Sequence, residues 1–543
     1  MLRCDMLRIG GAVLLIAALT AWPLRAGTVW HVPGDFKTIQ AALEGAGSND
    51  TILVAPGWYY ENVDFAGRDV QLQAVNPSTS LVDPLDPLVA SIIDGSQPAD
   101  PNTASVVRMA GGESAACLLD GFTLVNGTGV LQPSGYTVGG GVFGGGSYAT
   151  ITRCTVRGNT ARFGGGLELC AGTISDCNIV ENWTSFPDSN HGGGGLEGCN
   201  GTISGCLIAR NQGFEGGGLH TCNSALILNC DIRDNTATWS GGGTMWCDYS
   251  TFVNCNFSGN QASTSGEGAG GAVFSQIGTY INCTFATNSS LMGGAIYAWQ
   301  EYAPTMHNCI LWGNQAPTGS QIALNAGDTP CTLAIDYSDL QGGQAGVWLG
   351  NASLCQVQWG AGMLVADPLF ASPASGNFRL QPQSPCINAG KNTYASAGSD
   401  LDGRPRIVGG TADMGAYEFQ PGVSGLFIAW LQQYGLPTDG SADFTDPDHD
   451  GMNNWQEWRC GTDPTNAASV LRMVFSTPAG NNVNVTWQSV AGVTYVLQCS
   501  TNLAGAPPFL SLATNLAGQA GTTTFTHTNA AVAKAAFYRV GVQ

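Results

Sequence analysis

The stretch that decides the fold is Ile-Ser-Gly-Cys-Leu-Ile-Ala-Arg-Asn-Gln-Gly-Phe-Glu-Gly-Gly-Gly, residues 203–218. It sets an apolar residue three positions before a cysteine, an asparagine five positions after that cysteine, and a glycine cluster beyond. The frame Cys-x-apolar-x-x-Asn occurs in seven segments, which begin at Cys154, Cys177, Cys206, Cys230, Cys255, Cys283 and Cys309. Because the frame is constant while the spacing varies, the variation is predicted to lie in loops between equivalent units.

Inward apolar residues alternate with other residues at Cys154/Val156, Cys177/Ile179 and Cys230/Ile232, which is the period of a β-strand and not of a helix. Such a unit is too small to bury a face by itself, so successive units must stack, about 4.8 Å apart. Stacking predicts a column of cysteines inside and an amide ladder of asparagines at a turn, where asparagine tolerates left-handed backbone. The glycine clusters are predicted to supply tight corners with positive φ. The chain is therefore expected to be an all-β protein built around a parallel solenoid.

The stacked cysteines leave two interpretations open. Free cysteine is among the most buried residue types, so inert thiols inside the solenoid are favoured, since each would stack equally well on both neighbours. The stacking distance would also permit disulfides between adjacent coils. Zinc binding is disfavoured, because the cysteines lack the short spacing of zinc sites and no histidine column accompanies them.

The repeated Cys, Asn and Gly-Gly positions resemble the coils of the right-handed parallel β-helix superfamily, which includes the pectate lyases. The segments DFKTIQAAL at 35–43, DTILV at 50–54 and PGWY at 56–59 resemble its capping helix and first coil. The segments FATN at 285–288 and GGAI at 293–296 resemble the paired motifs of chlamydial polymorphic outer-membrane proteins. The resemblance implies that residues 27–366 form a right-handed parallel β-helix.

The composition changes after residue 366. The segments DPLF at 367–370, SPCINAG at 384–390 and DMGAYEF at 413–419 resemble the choice-of-anchor Q region that closes many bacterial surface β-helices. We expect residues 367–419 to cap the open sheet edge. Short alternating strands separated by turn residues predict a small β-sandwich over 470–543.

A calcium-binding loop is predicted within the linker segment 420–469. Residues 446–457 fit the frame D-x-D-x-D-G-x5-E, which gathers the oxygen ligands that calcium prefers. The predicted ligands of one structural calcium ion are Asp446, Asp448, Asp450, the backbone carbonyl of Met452, Asn454 and Glu457. The segment resembles the dockerin-like and thrombospondin type 3 calcium repeats of exported bacterial proteins.

The first 26 residues are predicted to be a signal peptide, with Arg3 and Arg8 before an apolar run at 9–20. No later run is apolar enough over the length of a membrane span. The protein is therefore expected to be exported, extracellular or on the cell surface, and monomeric. A net charge of −20 and a lysine content of only Lys37, Lys391 and Lys534 exclude nucleic acid as a partner.

The second residue after each glycine cluster defines a column of equivalent positions, and its members are Phe143, Glu168, Glu197, His220, Met245, Phe274 and Tyr297. If the column faces outward, Glu168 and Glu197 lie on adjacent coils, with His220 next. Two carboxylates about 5 Å apart can carry out retaining glycoside hydrolysis. We favour the alternative, a solvent-facing ladder whose aromatic members would stack on sugars without catalysis.

Lyase chemistry would need a base beside a group that neutralises the substrate carboxylate. The predicted solenoid has no lysine after Lys37, so only arginine could serve there, and the candidates are Arg153, Arg157, Arg162, Arg210 and Arg233. We therefore expect a secreted or surface scaffold that contacts extracellular polysaccharide or cell-surface glycan. The alternative is a polysaccharide-degrading enzyme, either a glycoside hydrolase or a polysaccharide lyase.

Overall fold

Each coil turns through three short strands, and equivalent strands of successive coils pair in parallel to form three long sheets. The computed structural model describes residues 27–542, apart from 81–82, 186–191, 264–267, 276, 302–303, 396–397, 409, 421–424, 438–441, 443–444, 502–508 and 529–535. The predicted signal peptide, residues 1–26, lies outside the described residues.

The three sheets have the following strands. Sheet 1 contains Val29–Val32, Thr51–Val54, Gln71–Ala74, Leu118–Asp120, Thr150–Thr152, Thr173–Ser175, Thr202–Ser204, Leu226–Leu228, Thr251–Val253, Thr279–Ile281, Thr305–His307, Cys331–Asp336 and Cys355–Trp359. Sheet 2 contains Gly57–Tyr59, Ser91–Asp94, Thr123–Val125, Thr155–Arg157, Asn178–Val180, Leu207–Ala209, Asp231–Arg233, Asn256–Ser258, Thr284–Ala286, Ile310–Trp312 and Asp339–Leu340. Sheet 3 contains Val63–Asp64, Val107–Arg108, Val142–Ser147, Leu167–Cys170, Leu196–Glu197, Leu219–His220, Thr244–Met245, Val273–Phe274, Ile296–Trp299, Ile322–Asn325 and Val347–Leu349.

Besides the three long sheets, the solenoid contains smaller sheets, 3₁₀ turns and a helix. Between sheets 2 and 3 lies a short parallel sheet of Thr160–Ala161, Trp183–Thr184, Gln212–Glu215 and Thr236–Ser240. Thr103–Ala104, Gly129–Leu131 and Thr137–Val138 pair antiparallel, and Phe370–Ser372 pairs with Asn377–Leu380. The 3₁₀ turns are Ser78–Ser80, Gly343–Gly346, Pro373–Ser375 and Asn392–Tyr394. Helix α1 (Ile39–Gly45) buries Ile39, Ala42 and Leu43, and its first N–H groups donate to the Glu61 carboxylate.

The inside of the solenoid is a set of stacked columns, as the repeat predicts. Each cysteine of the frame lies one residue before a strand of sheet 2 and is fully or almost fully buried. The N–H of Cys177 approaches Sγ of Cys206 at 3.5 Å, so neighbouring coils bring their cysteines together. The predicted cysteine column is therefore confirmed. The described cysteines are free thiols, in agreement with the buried-thiol interpretation.

The asparagine ladder is also confirmed. Nδ2 of Asn159 donates to Oδ1 of Asn182 at 3.1 Å, and Nδ2 of Asn182 donates to Oδ1 of Asn211 at 3.1 Å. The same bond continues through Asn235, Asn260, Asn288 and Asn314. Each amide also donates to a backbone carbonyl of the preceding coil, so these buried polar groups are satisfied.

The prediction of left-handed backbone at the ladder asparagines was wrong. The positive φ angles fall one residue earlier, for example at Glu181 (56°) and Arg210 (54°), and also one residue before the cysteines, as at Asp176 (53°). At these corners the left-handed residue turns the chain sharply, so the next residue can point inward and join its column. The first glycine of each cluster does have positive φ, such as 57° at Gly216, as predicted.

The outer faces of the three sheets differ. From Thr150 to Ile281 the outward residues of sheet 1 are threonine, serine and apolar side chains, all at least partly exposed except Val253 at 6%, whereas the isoleucines between them, such as Ile174, are buried. On sheet 2 the C-terminal coils are covered, because the N–H of Ala416 donates to Thr284 Oγ1 at 2.9 Å. The outer face of sheet 3 carries the candidate column described below.

The chain divides into two compact units. The solenoid unit includes residues up to 378 together with 393–403 and 414–417, and the second unit holds 379–392, 404–413 and 418–543. The predicted closing segment 367–419 is thus shared between them. No described helix is long and apolar enough to cross a membrane.

The second unit contains helix α2 (Gly425–Gln433), helix α3 (Asn454–Cys460) and two three-stranded antiparallel sheets. One sheet is formed by Met473–Ala479, Asn482–Ser489 and Gly521–His527, and the other by Leu510–Ala517, Thr494–Ser500 and Phe537–Val542. Val485, Trp487, Tyr495 and Leu497 are buried and form their core.

Candidate functional site

The candidate column on sheet 3 stacks as predicted but does not face solvent. Strand pairing aligns Phe143, Glu168, Glu197, His220, Met245, Phe274 and Tyr297 in one row. Glu168 is 7% exposed, Glu197 8% and His220 3%. The favoured prediction of a solvent-facing ladder was therefore wrong.

The glycine corners explain this burial. A Cβ atom on Gly164 would lie 2.8 Å from Cβ of Glu168, and one on Gly216 would lie 2.9 Å from Cβ of His220. Because these glycines have no side chain, their backbone lies directly against the column and covers it. The glycine corner that turns each coil therefore also shields the Glu168 or His220 side chain from solvent.

Glu197 is held by a closed set of donors. Nδ1 of His220 lies 2.9 Å from both carboxylate oxygens of Glu197. The Thr221 hydroxyl donates to Glu197 Oε1 at 2.8 Å, and the N–H of Gly193 donates to Oε2 at 2.6 Å. On the other side of the ring, Nε2 of His220 lies 3.3 Å from Oε2 of Glu215. His220 therefore lies between two buried carboxylates.

The pKa values of the three groups follow from this geometry. Burial opposes charge on His220, but Glu197 and Glu215 outweigh it and raise the pKa of His220 to about 10. Burial likewise opposes charge on Glu197, yet the His220 cation and the hydrogen bonds lower the pKa of Glu197. Burial, and then the Glu197 charge, raise the pKa of Glu168 to about 9. At neutral pH, Glu168 is a neutral acid beside an ionised Glu197.

Sequence reasoning missed Glu215 and Thr221. Glu215 lies at the end of Gln212–Glu215, in the part of the coil whose length varies, so the constant frame did not include it. A signal was nevertheless present, because Glu215 directly precedes Gly216, the glycine that lies against His220.

The other half of the column is aromatic. Phe274 and Tyr297 stack with ring centroids 5.3 Å apart, and Trp239 packs against Phe274 at 5.6 Å. Met245 and Ala323 complete this buried cluster. Trp299, whose ring centroid lies 6.3 Å from that of Tyr297, is 43% exposed and offers an open aromatic surface beside this half of the column.

The arginines proposed as lyase bases are engaged elsewhere. Arg157 and Arg210 both bind Glu181, at 2.8 and 3.0 Å. Arg153 binds Asp120, and Arg233 binds Asp231 and Asp234. The Arg162 guanidinium lies 3.7 Å from the ring centroid of Tyr136. Each is held in an ion pair or against an aromatic ring.

The predicted calcium loop has a different character. One carboxylate oxygen from each of Asp446, Asp448 and Asp450 lies within 4.8 Å of the others. Six buried oxygen atoms lack a hydrogen-bond partner among the described residues, and they are Asp446 Oδ1, Asp448 Oδ2, Asp450 Oδ2, Asn454 Oδ1 and both carboxylate oxygens of Glu457. Burial raises the pKa of Glu457, and the negative charges of Asp448 and Asp450 raise it further, to about 8.

This donor set fits a hard cation. Unpartnered buried oxygens are costly, and carboxylate and amide oxygens are the ligands of Ca²⁺. Asn454 Nδ2 donates to the Ala442 carbonyl at 2.7 Å, which leaves its Oδ1 for the site. Asn454 is the first residue of helix α3 and Glu457 the fourth, and Asn453 caps the helix by accepting from the N–H of Gln456. Met452 donates its N–H to Asp450, and the role of its carbonyl stays a prediction.

Comparison with known proteins supports the fold. The family model described as a right handed beta helix region matches residues 140–358. No curated protein matches the chain. A solved structure of a pectin methylesterase mutant in complex with a hexasaccharide is similar over 65% of this chain and 98% of its own, with 10% identity and a TM-score of 0.20. So low a TM-score supports no argument about this chain, and the family match confirms the right-handed parallel β-helix alone.

Proposed function

We propose, from the premise that residues 140–358 form a right-handed β-helix region, that this protein is an extracellular scaffold that binds neutral glycans. The observation that carries the proposal is the outer face of sheet 1. Two rows of side chains run along it from coil to coil. One row is Thr150, Thr173, Thr202, Leu226, Thr251, Thr279 and Thr305, and the other is Thr152, Ser175, Ser204, Leu228, Val253, Ile281 and His307.

This face suits a sugar chain for two physical reasons. Hydroxyl groups can donate and accept hydrogen bonds, while the apolar side chains can contact the carbon faces of sugar rings. Between Thr150 and Thr305 neither row carries a charged side chain. The net charge of −20 disfavours anionic polysaccharides, so a neutral glycan is the class that fits.

The second unit contributes a calcium-dependent structural element in this proposal. Asp446, Asp448, Asp450, Asn454 and Glu457 would hold Ca²⁺, which would neutralise their charge and fix helix α3. Trp455 and Trp458 on α3 pack around Phe427 of α2, so binding would order an aromatic cluster.

Two aspartates on sheet 1 would test glycan binding. Thr173→Asp with Thr251→Asp places two charges on the outer face, and Thr236→Asp with Thr238→Asp is the matched control on the short sheet between sheets 2 and 3. Binding of the full chain to neutral and acidic polysaccharides is measured by affinity electrophoresis. We expect the first variant to lose retention by neutral polysaccharide and the control to keep it. Equal retention of both variants would refute this face as the binding surface.

A hydrolase remains the second candidate, because Glu168 is a neutral acid and Glu197 an ionised carboxylate on adjacent strands. Strands pair about 4.8 Å apart, close to the carboxylate separation of retaining glycosidases. Release of reducing ends that is lost in both Glu168→Gln and Glu197→Gln would favour hydrolysis. Calcium-dependent formation of unsaturated product from polygalacturonate would instead reveal a lyase.

A further inference from the structure

A cleft of about 270 Å³ opens on the outer face of sheet 1, along its last three strands. His307, Asp336 and Gln358 contribute polar side chains to its lining. Ala334 and Gly360 also line it, and their small size leaves the space open. The cleft is distinct from the acid column on sheet 3 and from the predicted calcium loop.

The imidazole in this cleft is held in one orientation. Asp336 Oδ1 lies 2.5 Å from Nδ1 of His307, and the Tyr394 hydroxyl donates to Asp336 Oδ2 at 3.0 Å. The Tyr394 ring stacks on His307 with centroids 4.0 Å apart and an interplanar angle of 11°. When Asp336 accepts from Nδ1, Nε2 is left as a hydrogen-bond acceptor. Among the described residues, no hydrogen bond is formed by Nε2.

The cleft lies at the end of the uncharged rows on sheet 1. His307 pairs with Ile281 on one side and with Asp336 on the other, so it joins the rows to the cleft. Tyr394 and Ser399 border this part of the face. Asn282 Nδ2 donates to the Tyr394 carbonyl at 3.2 Å, and Asn254 Nδ2 donates to the Ser399 carbonyl at 2.7 Å. The rows therefore end at a polar cleft, and Tyr394 lies on one side of it.

We propose that the His307 cleft is a subsite for the terminal sugar residue of a neutral glycan chain, whose following residues lie along sheet 1. This proposal rests on the glycan-binding function proposed above. A sugar hydroxyl would donate to Nε2 of His307, and the Gln358 amide can both donate and accept. Asp336 is a positioning residue, because it acts through the imidazole that it orients. A chain end is favoured because Cys355–Trp359 is the last strand of sheet 1.

The test uses the full chain with cellotetraose, laminaritetraose and mannotetraose as probes. Ala334→Phe fills the cleft, and His307→Phe keeps a ring against Tyr394 but removes Nε2. Thr332→Phe is the matched control, because Thr332 lies on the same strand and outside the cleft. Gln358→Ala, at an exposed position, serves if a larger substitution prevents folding. Affinity is measured by calorimetry, and the imidazole resonances of the wild type are followed during titration.

We expect at least one tetraose to bind the wild type and shift the His307 resonance. Ala334→Phe and His307→Phe should then weaken binding by about tenfold, the effect of losing one or two hydrogen bonds, while Thr332→Phe binds normally. Equal tetraose affinity in all variants would overturn the subsite and leave the glycan-binding function standing. If the wild type bound a neutral polysaccharide but none of the three tetraoses, the subsite would likewise be overturned and the glycan-binding function would stand. Failure of the wild type to bind either probe class would overturn both proposals.

Discussion

The protein contains two clusters of acidic side chains with buried carboxylate oxygens, and the described residues supply partners to these oxygens in one cluster and not in the other. On sheet 3, Glu197 receives hydrogen bonds from His220, Thr221 and Gly193, all within the solenoid. In the second unit, Asp446, Asp448, Asp450 and Glu457 bring buried oxygens together with no donor among the described residues.

This difference distinguishes a charge cluster that the fold itself balances from a proposed cation site. A buried charge is tolerated when the fold supplies the opposite charge, and His220 does so between Glu197 and Glu215. A set of carboxylates without such a partner is stabilised either by protonation, as the raised pKa of Glu457 indicates, or by an added cation. The first cluster is therefore expected to be sensitive to mutation of its own residues, and the second to removal of calcium.

The largest expected effect comes from His220→Leu. It leaves Glu197 and Glu215 buried without their cation, which should lower the free energy of unfolding by about 3–5 kcal/mol. Denaturant unfolding monitored by circular dichroism measures the change. Adding Glu197→Leu and Glu215→Leu should recover much of the loss, because no uncompensated charge then remains. A single variant as stable as the wild type would contradict internal neutralisation.

The same cluster predicts a fall in solenoid stability at alkaline pH. The pKa of His220 is raised from 6.5 to about 10, so the folded chain keeps a proton that the unfolded chain releases above pH 6.5. This stabilisation is complete below pH 6.5 and is lost as the pH rises through 10, at up to about 1.4 kcal/mol per pH unit. Glu168, with its pKa raised to about 9, acts in the same direction above pH 4.5. Thermal unfolding between pH 6 and 10 should show this slope, and His220→Leu should reduce it.

For the second cluster, calcium at about one hundred times its dissociation constant should add about 2.7 kcal/mol to the stability of the second unit. Asp446→Ala with Glu457→Ala should abolish this gain, because both remove unpartnered ligand oxygens. Scanning calorimetry with calcium or chelator measures it, and Trp455 and Trp458 give a fluorescence signal nearby. His449→Asn is the control, since it changes the loop at a left-handed position without removing a predicted ligand. An unchanged transition with and without calcium in the wild type would show that the loop is only a linker.

The smallest effect is expected for Glu168→Gln. Glu168 is already neutral at pH 7, so an uncharged amide of similar shape should change the free energy of unfolding by less than about 1 kcal/mol. Glu197→Gln removes an ionised partner of His220 and should cost about 1–3 kcal/mol. If the two substitutions cost the same, the assignment of one neutral and one charged glutamate is wrong.

The sequence predicts the columns of the solenoid well, because they depend on a constant frame. The cysteine column, the Asn159 to Asn314 ladder and the row from Phe143 to Tyr297 all follow from spacing alone. Exposure could not be predicted in the same way. Whether Glu168 faces water depends on where the backbone of Gly164 lies, and spacing contains no information about that approach.

The candidate sites also differ in how far the sequence predicts them. The predicted ligands of the calcium loop lie within twelve consecutive residues, so a local motif was sufficient to predict them. The His307 cleft joins residues from three strands and a distant segment that contains Tyr394. Such a site becomes visible only when the coils are stacked. Glu215 could not be predicted for the same reason. It lies in a part of the coil whose length varies, and its contact with His220 joins two different strands.

The repeated columns also make the molecule adjustable in length. Deletion of residues 206–229, one complete coil, would place Cys177 next to Cys230 and Asn182 next to Asn235, so the cysteine column and the asparagine ladder would continue, although Glu197 would lose His220. The molecule would shorten by one step of about 4.8 Å while its two ends stayed unchanged. Duplication of a coil would lengthen it by the same step. Gain or loss of a coil outside the cluster of Glu197, His220 and Glu215 would thus change the span of sheet 1 and keep both internal columns.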